Sequence, residues 1–114
     1  IGESGHKEIF REIKKGALAK FYQGKMDIFY FFFHLALNIG KQNSKISFIT
    51  TNYYLTATGA KKLRLDFKKR CKFKSLVNFN ELSIFESARG QHNIITLIEN
   101  NKKLKIKENI LDKV

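Results

Sequence analysis

A dense run of cations between Lys61 and Lys74 is the feature of this sequence best suited to an anionic partner. Eight basic side chains in the run accompany a single acid, Asp66. Lysine and arginine neutralise phosphates, so the run predicts a helix face that contacts a nucleic-acid backbone. The residues assigned to that contact are Lys61, Lys62, Arg64, Lys68 and Lys69. A solvated outer face is the open alternative, because many charge runs of this kind bind nothing.

Aromatic residues form the second set of candidates. Phe85 lies in an irregular link, ELSIFESARGQH, between two predicted strands. A ring there could stack on a nucleobase, although packing beneath the loop is the ordinary role of a phenylalanine. Tyr53 and Tyr54 follow a predicted strand, where open α/β sheets bind ligands, and one of them is expected to pack in the core. Most of the aromatic cluster 29–33 is expected to be core.

Several other chemistries find no support in the sequence. Three histidines and one cysteine are scattered without the spacing of a metal site. The GxxxxGK[ST] and GxGxxG phosphate loops are absent, and no serine stands in a nucleophile motif. The absence of proline excludes proline-bearing catalytic motifs. Cys71 is the only cysteine, so an internal disulfide is excluded, which fits a reducing cytoplasm. Its side chain is expected to be a small buried hydrophobe.

Charge and hydropathy limit the class of protein. The net charge of +12 suits a polyanion, and a hydrophobic content of 43% is enough for a folded core. The longest apolar run, 26–39, is shorter than the roughly 20 residues of a membrane span and contains Asp27 and His34. It also lacks the charged face of a membrane-surface helix. The run is therefore interpreted as a buried helix, with no membrane partner.

Apolar periodicity predicts three helices. The first, over 7–20, has one apolar face. The second, over 27–38, is apolar nearly all round and is closed by Gly40, a residue typical of helix C-caps. The third, over 58–71, begins with Thr58, a residue typical of N-caps.

Three strands complete the prediction. The strand over 45–50 is too apolar for clean alternation and is expected at the centre of a sheet, covered on both faces. Further strands are predicted over 73–79 and 93–99. Alternation of helices and strands indicates an α/β fold with helices packed on the strands. The tail 102–114 fits either a strand or a short helix.

Five segments of the chain, taken in order, resemble the adenine-N6 DNA methyltransferases, including those fused to restriction endonucleases. GKMDIFYFFF at 24–33 is similar to the family pattern GKxDLY-x-x-F, and ISFITTNYYL at 46–55 is similar to LxFITPNYFL. GAKKLRLDF at 59–67 follows a GKKLREFL-like helix, and NFNELSIF at 78–85 follows a DFxxxxVF strand and turn. NIITLIEN at 93–100 corresponds to the closing strand. The order of the segments is more specific than any one of them.

The resemblance implies an architecture and a parent protein. Residues 1–101 would form the C-terminal half of a Rossmann-like methyltransferase domain, and 102–114 would extend toward the next domain. The glycine-rich cofactor loop and the catalytic Asn-Pro-Pro-Tyr motif would lie upstream of Ile1, so no catalytic residue is expected in this chain. Thr51 replaces the usual proline, which changes the expected shape of that loop. The implied partners are double-stranded DNA and the remainder of the parent chain.

The resemblance also implies two sites. An aromatic residue after GKxD packs against the adenine ring of S-adenosylmethionine; Phe32 is the best match, with Phe31 and Phe33 as alternatives in register. The aromatic residue of the VF turn stacks on the extruded target adenine, and here it is Phe85. Whether the parent also carries a nuclease is open. The alternative function is a small, basic, non-catalytic nucleic-acid-binding module.

Overall fold

The computed structural model describes residues 3–80 and 92–101. Phe85 and the tail 102–114 lie outside the described residues, so their predicted roles are not addressed by the fold. Within the described residues the chain forms three α-helices and three strands, joined by turns and short 3₁₀ segments. The helices are α1 (Lys7–Ile13), α2 (Phe29–Ile39) and α3 (Lys61–Arg70), and the strands are β1 (Lys45–Thr51), β2 (Cys71–Asn80) and β3 (Asn93–Asn100).

The three strands form one sheet in the order β1-β3-β2. Both β1 and β2 are antiparallel to β3, so β1 and β2 are parallel to each other and connected through α3. Mixed helices and strands are compatible with the predicted α/β class, and a Rossmann-like sheet would require further parallel strands beyond those described. All three predicted strands are present within one to two residues of their expected bounds.

The position of β1 differs from the prediction. A central strand was expected over 45–50, but β3 occupies the centre of the described sheet and β1 lies at its edge. The exposure of β1 alternates along most of its length, whereas four residues of β3 facing the helices are buried. The difference arises because β3 enters between the two parallel strands, which local hydrophobicity does not reveal.

The first helix is shorter than predicted, because α1 ends at Ile13 rather than near position 20. Gly16, a poor helix former, follows closely and the chain turns there. The turn carries Phe21 onto the imidazole of His34 in α2, with the ring centroids 3.9 Å apart and the planes inclined by 10°. The segment predicted to continue the helix therefore covers the core of its neighbour.

The core lies between the helices and one face of the sheet, and Phe33 stands at its centre. Its ring meets Phe48 of β1 at 4.9 Å and Phe67 of α3 at 5.0 Å, both edge-on. Phe33 and Phe67 are at most 2% exposed. Edge-to-face contacts of this kind add to the hydrophobic stabilisation of the buried area. The apolar character of α2 is thus explained by contacts on more than one side.

The end of α2 is capped in an unpredicted way. Gly40 has φ −71° and ψ 148°, an extended conformation rather than the left-handed one expected of a C-cap glycine. A Cβ at this position would lie 2.8 Å from the carbonyl oxygen of Ala36 and 2.9 Å from Nδ2 of Asn100. That Nδ2 donates to the carbonyl oxygens of Leu37 and Gly40 at 3.1 and 3.0 Å. Glycine is needed here for close approach to the capping side chain.

The start of α3 also differs from the prediction. Thr58 opens a short 3₁₀ turn, and the N-cap of α3 is Ala60, which makes no side-chain capping bond. The cap comes from a distant segment, because the backbone N–H of Lys62 donates to Oε1 of Gln23 at 2.6 Å. A glutamine can satisfy a helix N-terminus as well as a local serine or threonine can, provided tertiary structure holds it there.

None of the helices in the described part of the chain has the length and apolar content of a membrane span.

Candidate functional site

The carboxyl ends of β1 and β2 lie at the same edge of the sheet because these strands are parallel. The backbone N–H of Asn52, just after β1, donates to the carbonyl oxygen of His92, just before β3, at 2.7 Å. Its side-chain Nδ2 donates to Oδ1 of Asn78 in β2 at 3.1 Å. One asparagine therefore joins three segments at the edge where α/β sheets bind ligands.

The two tyrosines after β1 have different environments. Tyr54 is fully buried, and its hydroxyl lies 2.6 Å from Oγ1 of Thr96 in β3. Burial raises the pKa of Tyr54, so its hydroxyl stays protonated and available for that hydrogen bond. Tyr53 is 51% exposed and its ring centroid lies 6.1 Å from that of His92. The prediction that one of the pair packs in the core is confirmed, and the exposed member is Tyr53.

The structure separates the three register alternatives for the cofactor contact on α2. Phe31 and Phe33 are 3% and 0% exposed, whereas Phe32 is 54% exposed. Phe31 packs edge-on against Phe10 of α1 at 5.7 Å. Only Phe32 of the three therefore offers an accessible ring surface, although no described contact identifies a ligand for it.

The predicted DNA-contacting residues all lie on α3 and differ in what their side chains contact. Lys61, Lys62, Lys68 and Lys69 are exposed, and Arg64 is half-buried. Lys62 and Arg64 use their side-chain donors on the protein's own backbone. Such cations stabilise the loops they hold, whether or not they also meet phosphate.

Those backbone contacts hold two loops. Nζ of Lys62 donates to the carbonyl oxygens of Tyr22 at 2.6 Å and Lys20 at 3.3 Å. Nη1 of Arg64 donates to the carbonyl oxygens of Ala57 at 2.6 Å and Tyr54 at 3.0 Å. Lys62 thus fixes the segment before α2, and Arg64 fixes the loop after β1.

The segment before α2 is packed directly against the start of α3. Nε2 of Gln23 donates to the carbonyl oxygen of Thr58 at 3.2 Å. A Cβ on Gly59 would lie 1.9 Å from the carbonyl oxygen of Lys25, so no other residue fits there without backbone movement. Lys25 itself has φ 62°. This contact between 23–26 and 58–62, hereafter the loop junction, brings together the start of the first segment that carries the family resemblance, 24–33, and the start of the third, 59–67.

A buried polar network under α3 was not predicted. Nδ1 of His34 lies 2.5 Å from Oδ2 of Asp66, and Arg70 donates from Nε to Oδ1 at 2.5 Å and from Nη2 to Oδ2 at 2.7 Å. Nη1 of Arg70 also donates to Oδ1 of Asn38 at 2.6 Å. The Asp66–Arg70 spacing of i, i+4 is a sequence signal for an ion pair, whereas nothing in the sequence indicates the histidine.

Burial lowers the pKa of His34, so the imidazole is neutral and donates its Nδ1 hydrogen to the carboxylate. Burial opposes ionisation of Asp66, but the hydrogen bonds from His34 and Arg70 outweigh it and lower the pKa of that carboxyl. Nε2 of His34 is buried without a hydrogen-bond partner among the described residues. The network joins α2 to α3 and has the character of a structural anchor.

Reactive groups are not assembled in the described part of the chain. Cys71 is 5% exposed, which confirms its predicted burial, and burial raises the pKa of its thiol to about 12. It is therefore a thiol rather than a nucleophilic thiolate near neutral pH. Residues 3–80 and 92–101 also contain no cluster of three potential metal ligands.

Comparison with known proteins identifies the family. A family model described as Eco57I restriction-modification methylase matches residues 1–85, about three quarters of the chain. No curated protein matches the chain. The matched region includes α1, α2, β1, α3, β2 and the loop junction. The chain therefore belongs to the Eco57I restriction-modification methylase family, a family of DNA methyltransferases.

Proposed function

We propose that this chain is the C-terminal half of the catalytic domain of an adenine-N6 DNA methyltransferase from a restriction–modification system. The match to the methylase family over residues 1–85 carries the proposal. The loop junction supports it, because 24–33 and the start of α3, which resemble adenine-N6 enzymes in sequence, are in direct contact. Family membership favours this function over a non-catalytic nucleic-acid-binding module.

The exposed sheet supports the proposal that the domain is completed by another part of the parent chain. Ile49, Ile95 and Val77 form a row across the three strands. Ile49 and Val77 are 41% and 44% exposed. The outer edge of β1 pairs with no strand in the described residues. A doubly wound methyltransferase sheet would have helices on both faces, so we infer that segments of the parent chain cover this row and extend the sheet.

S-adenosylmethionine is the cofactor we propose, and Phe32 is the residue that would contact it. An exposed phenylalanine on a helix whose neighbouring rings are buried fits an adenine ring, which needs a flat apolar surface. The cofactor would supply an activated methyl group when bound. In this proposal Phe32 forms one wall of the pocket and orients the adenine, while the His34–Asp66–Arg70 network fixes the rotation of α2.

Double-stranded DNA is the proposed substrate. A methyltransferase cannot reach the amino group of a stacked adenine, so the base must leave the duplex. Phe85 is the residue we propose to stack on the extruded adenine, and the exposed Lys61, Lys68 and Lys69 would contact phosphates. Phe85→Ala should lower the methylation rate by roughly 10- to 100-fold through loss of stacking, and Phe85→Trp should retain most of it.

The decisive experiment is methylation by the full-length gene product. Purified protein is incubated with double-stranded DNA and methyl-labelled S-adenosylmethionine, and the modified nucleoside is identified after digestion. We expect N6-methyladenine. Methylcytosine, or no transfer by a folded protein across a panel of DNA sequences, would overturn the proposal.

The role of Phe32 is tested with a matched control on the same helix. Phe32→Ala should raise the KM for S-adenosylmethionine about tenfold while leaving the KM for DNA unchanged, because only the cofactor wall is removed. Leu35 is also exposed on α2, at 40%, and Leu35→Ala should leave both constants near those of the wild type. Equal effects of the two variants would remove Phe32 from the cofactor site.

A further inference from the structure

We propose that Tyr53, backed by His92, is a binding surface for an unpaired nucleobase of DNA. The proposal rests on the proposed function, since it assumes a DNA substrate whose target base is extruded. Tyr53 is 51% exposed, although its neighbour Tyr54 is fully buried in the same short turn. The same turn therefore presents one tyrosine ring to solvent and buries the other, and an exposed tyrosine ring offers a flat apolar face with a polar hydroxyl at its tip.

The rings of Tyr53 and His92 form a shared surface. Their centroids are 6.1 Å apart and the planes are inclined by 38°, within the range of aromatic contact but without full overlap. The arrangement leaves about half of Tyr53 accessible. Bases stack on such aromatic groups without regard to sequence, because every base has a π-face.

The surface is held rigidly at the sheet edge. The bond from the Asn52 N–H to the His92 carbonyl fixes the two ring-bearing segments to each other at 2.7 Å. Nη1 of Arg64 holds the same turn through the carbonyl oxygen of Tyr54 at 3.0 Å. An aromatic group that is already positioned loses little conformational entropy when it binds, which favours a contact role over chance exposure.

The position of Tyr53 in the fold favours a nucleobase as its ligand. Residues 81–91, which include Phe85, connect the end of β2 to His92, and His92 is the residue that Tyr53 contacts. Arg64, which holds the Tyr53 turn, lies on the same helix as the exposed Lys61, Lys68 and Lys69. When one base leaves a duplex, that base loses its stacking neighbours and its former partner loses its pairing. Tyr53 offers a stacking face for such an unpaired base beside the helix that we propose to contact phosphates.

The test measures DNA binding by the full-length gene product with Tyr53→Ala, Tyr53→Trp and Leu55→Ala. Leu55 lies in the same turn and is 38% exposed, so it is the matched control. The probe is a labelled single-stranded oligothymidylate, which offers unpaired bases without methylation chemistry. Tyr53→Ala should weaken binding about 5- to 100-fold, from loss of a base stack. Tyr53→Trp and Leu55→Ala should bind within about twofold of the wild type, and thermal stability should be unchanged.

The salt dependence of DNA binding distinguishes a stacking contact from a contact between charges. The slope of log affinity against log salt should be the same for Tyr53→Ala and wild type, because the ring neutralises no phosphate. Unchanged affinity of Tyr53→Ala would overturn the inference, and so would a raised KM for S-adenosylmethionine with normal DNA binding. The affinity measurement on oligothymidylate requires no methyl transfer, so failure here is distinguishable from failure of the proposed function.

Discussion

Nδ1 of His34 lies 2.5 Å from Oδ2 of Asp66, and the two side chains are 0% and 6% exposed. The contact connects the middle of α2 to the middle of α3, and Arg70 completes it from the last turn of α3. Because the imidazole is neutral and the carboxyl is ionised, the network contains one cation, one anion and one neutral donor. Removing any one of the three side chains would leave a buried polar or charged partner without its contact, and this would lower the stability of the folded protein.

Asp66→Asn should lower the free energy of unfolding by about 3 kcal/mol, because the largely buried Arg70 would lose its anionic partner. The measurement is chemical denaturation at neutral pH. Glu8 is an exposed carboxylate on α1, and Glu8→Gln is the control that should change stability by less than about 0.5 kcal/mol. If the two variants were equally stable, the buried ion pair would contribute nothing.

The same network predicts a pH dependence of stability. The pKa of His34 is lowered from 6.5 by burial, so below pH 6.5 the unfolded chain takes up a proton that the folded protein does not. The free energy of unfolding should therefore fall as the pH drops below 6.5, with a limiting slope of about 1.4 kcal/mol per pH unit. His34→Phe should flatten this part of the profile, whatever its effect on stability at neutral pH. A parallel profile would assign the dependence to other groups.

Asp66 contributes in a second, more acidic window. Its pKa is lowered from 3.8, so its stabilisation is present above that value and is lost as the pH falls toward the lower pKa of the folded protein. Acid unfolding followed by circular dichroism should show a step in this range that Asp66→Asn lacks. An identical acid step in the variant would exclude Asp66 as its source.

The sequence predicts the local elements of this chain better than their arrangement. The apolar content of α2 and of β3 is continuous enough to indicate buried elements. The order of the strands depends on where β3 inserts, and for that reason local hydrophobicity did not indicate that β3 rather than β1 lies at the centre of the described sheet. Helix ends set by distant partners were also missed, since Gln23 caps α3 across 39 residues of chain. Such contacts leave no local pattern.

The buried hydroxyl pair of Tyr54 and Thr96 offers a test of the sheet edge. The two oxygens are 2.6 Å apart, and both residues are fully buried. Tyr54→Phe should cost about 1–2 kcal/mol, because the Thr96 hydroxyl would lose its partner. Thr96→Val alone should cost a similar amount, whereas the double variant should cost less than the sum of the two. Strict additivity in a double-mutant cycle would show that the hydrogen bond does not contribute to stability.

The loop junction predicts a sharp difference between two glycines. Gly59→Ala would bring a Cβ to 1.9 Å from the carbonyl oxygen of Lys25, so the backbone would have to move, at a cost of about 1–3 kcal/mol. Gly16→Ala meets only ordinary contacts, the nearest at 3.8 Å, and should be neutral or stabilising by up to about 1 kcal/mol. Thermal melts of the two variants provide the comparison. Equal melting temperatures would mean that the junction does not form as described.

The residues of the candidate site were likewise only partly predictable from the local sequence. The resemblance selected Phe32 from three adjacent phenylalanines, and the structure leaves only that one largely exposed. Charge alone placed Lys62 and Arg64 with the exposed lysines of α3, although both bind backbone carbonyls. Nothing in the sequence indicates that these two cations reach backbone carbonyls. The fold shows it by bringing Tyr22 and Ala57 within reach, and the phosphate contacts of Lys62 and Arg64 stay a prediction.

Substitution of Lys62, which contacts backbone carbonyls, and of the other lysines of α3 should have different effects on stability and on DNA binding. Gln at Lys61, Lys68 and Lys69 together should leave thermal stability nearly unchanged, because charge interactions of exposed surface cations contribute little to stability. It should weaken binding to DNA and flatten the slope of log affinity against log salt by about 0.9 for each phosphate that is no longer neutralised. Lys62→Gln should instead lower the free energy of unfolding by about 1–2 kcal/mol, since Nζ of Lys62 donates to two backbone carbonyls. Fluorescence anisotropy across a salt series and thermal melts measure the two effects. If the triple variant kept the wild-type slope, the exposed face of α3 would be a solvated surface rather than a DNA-binding one.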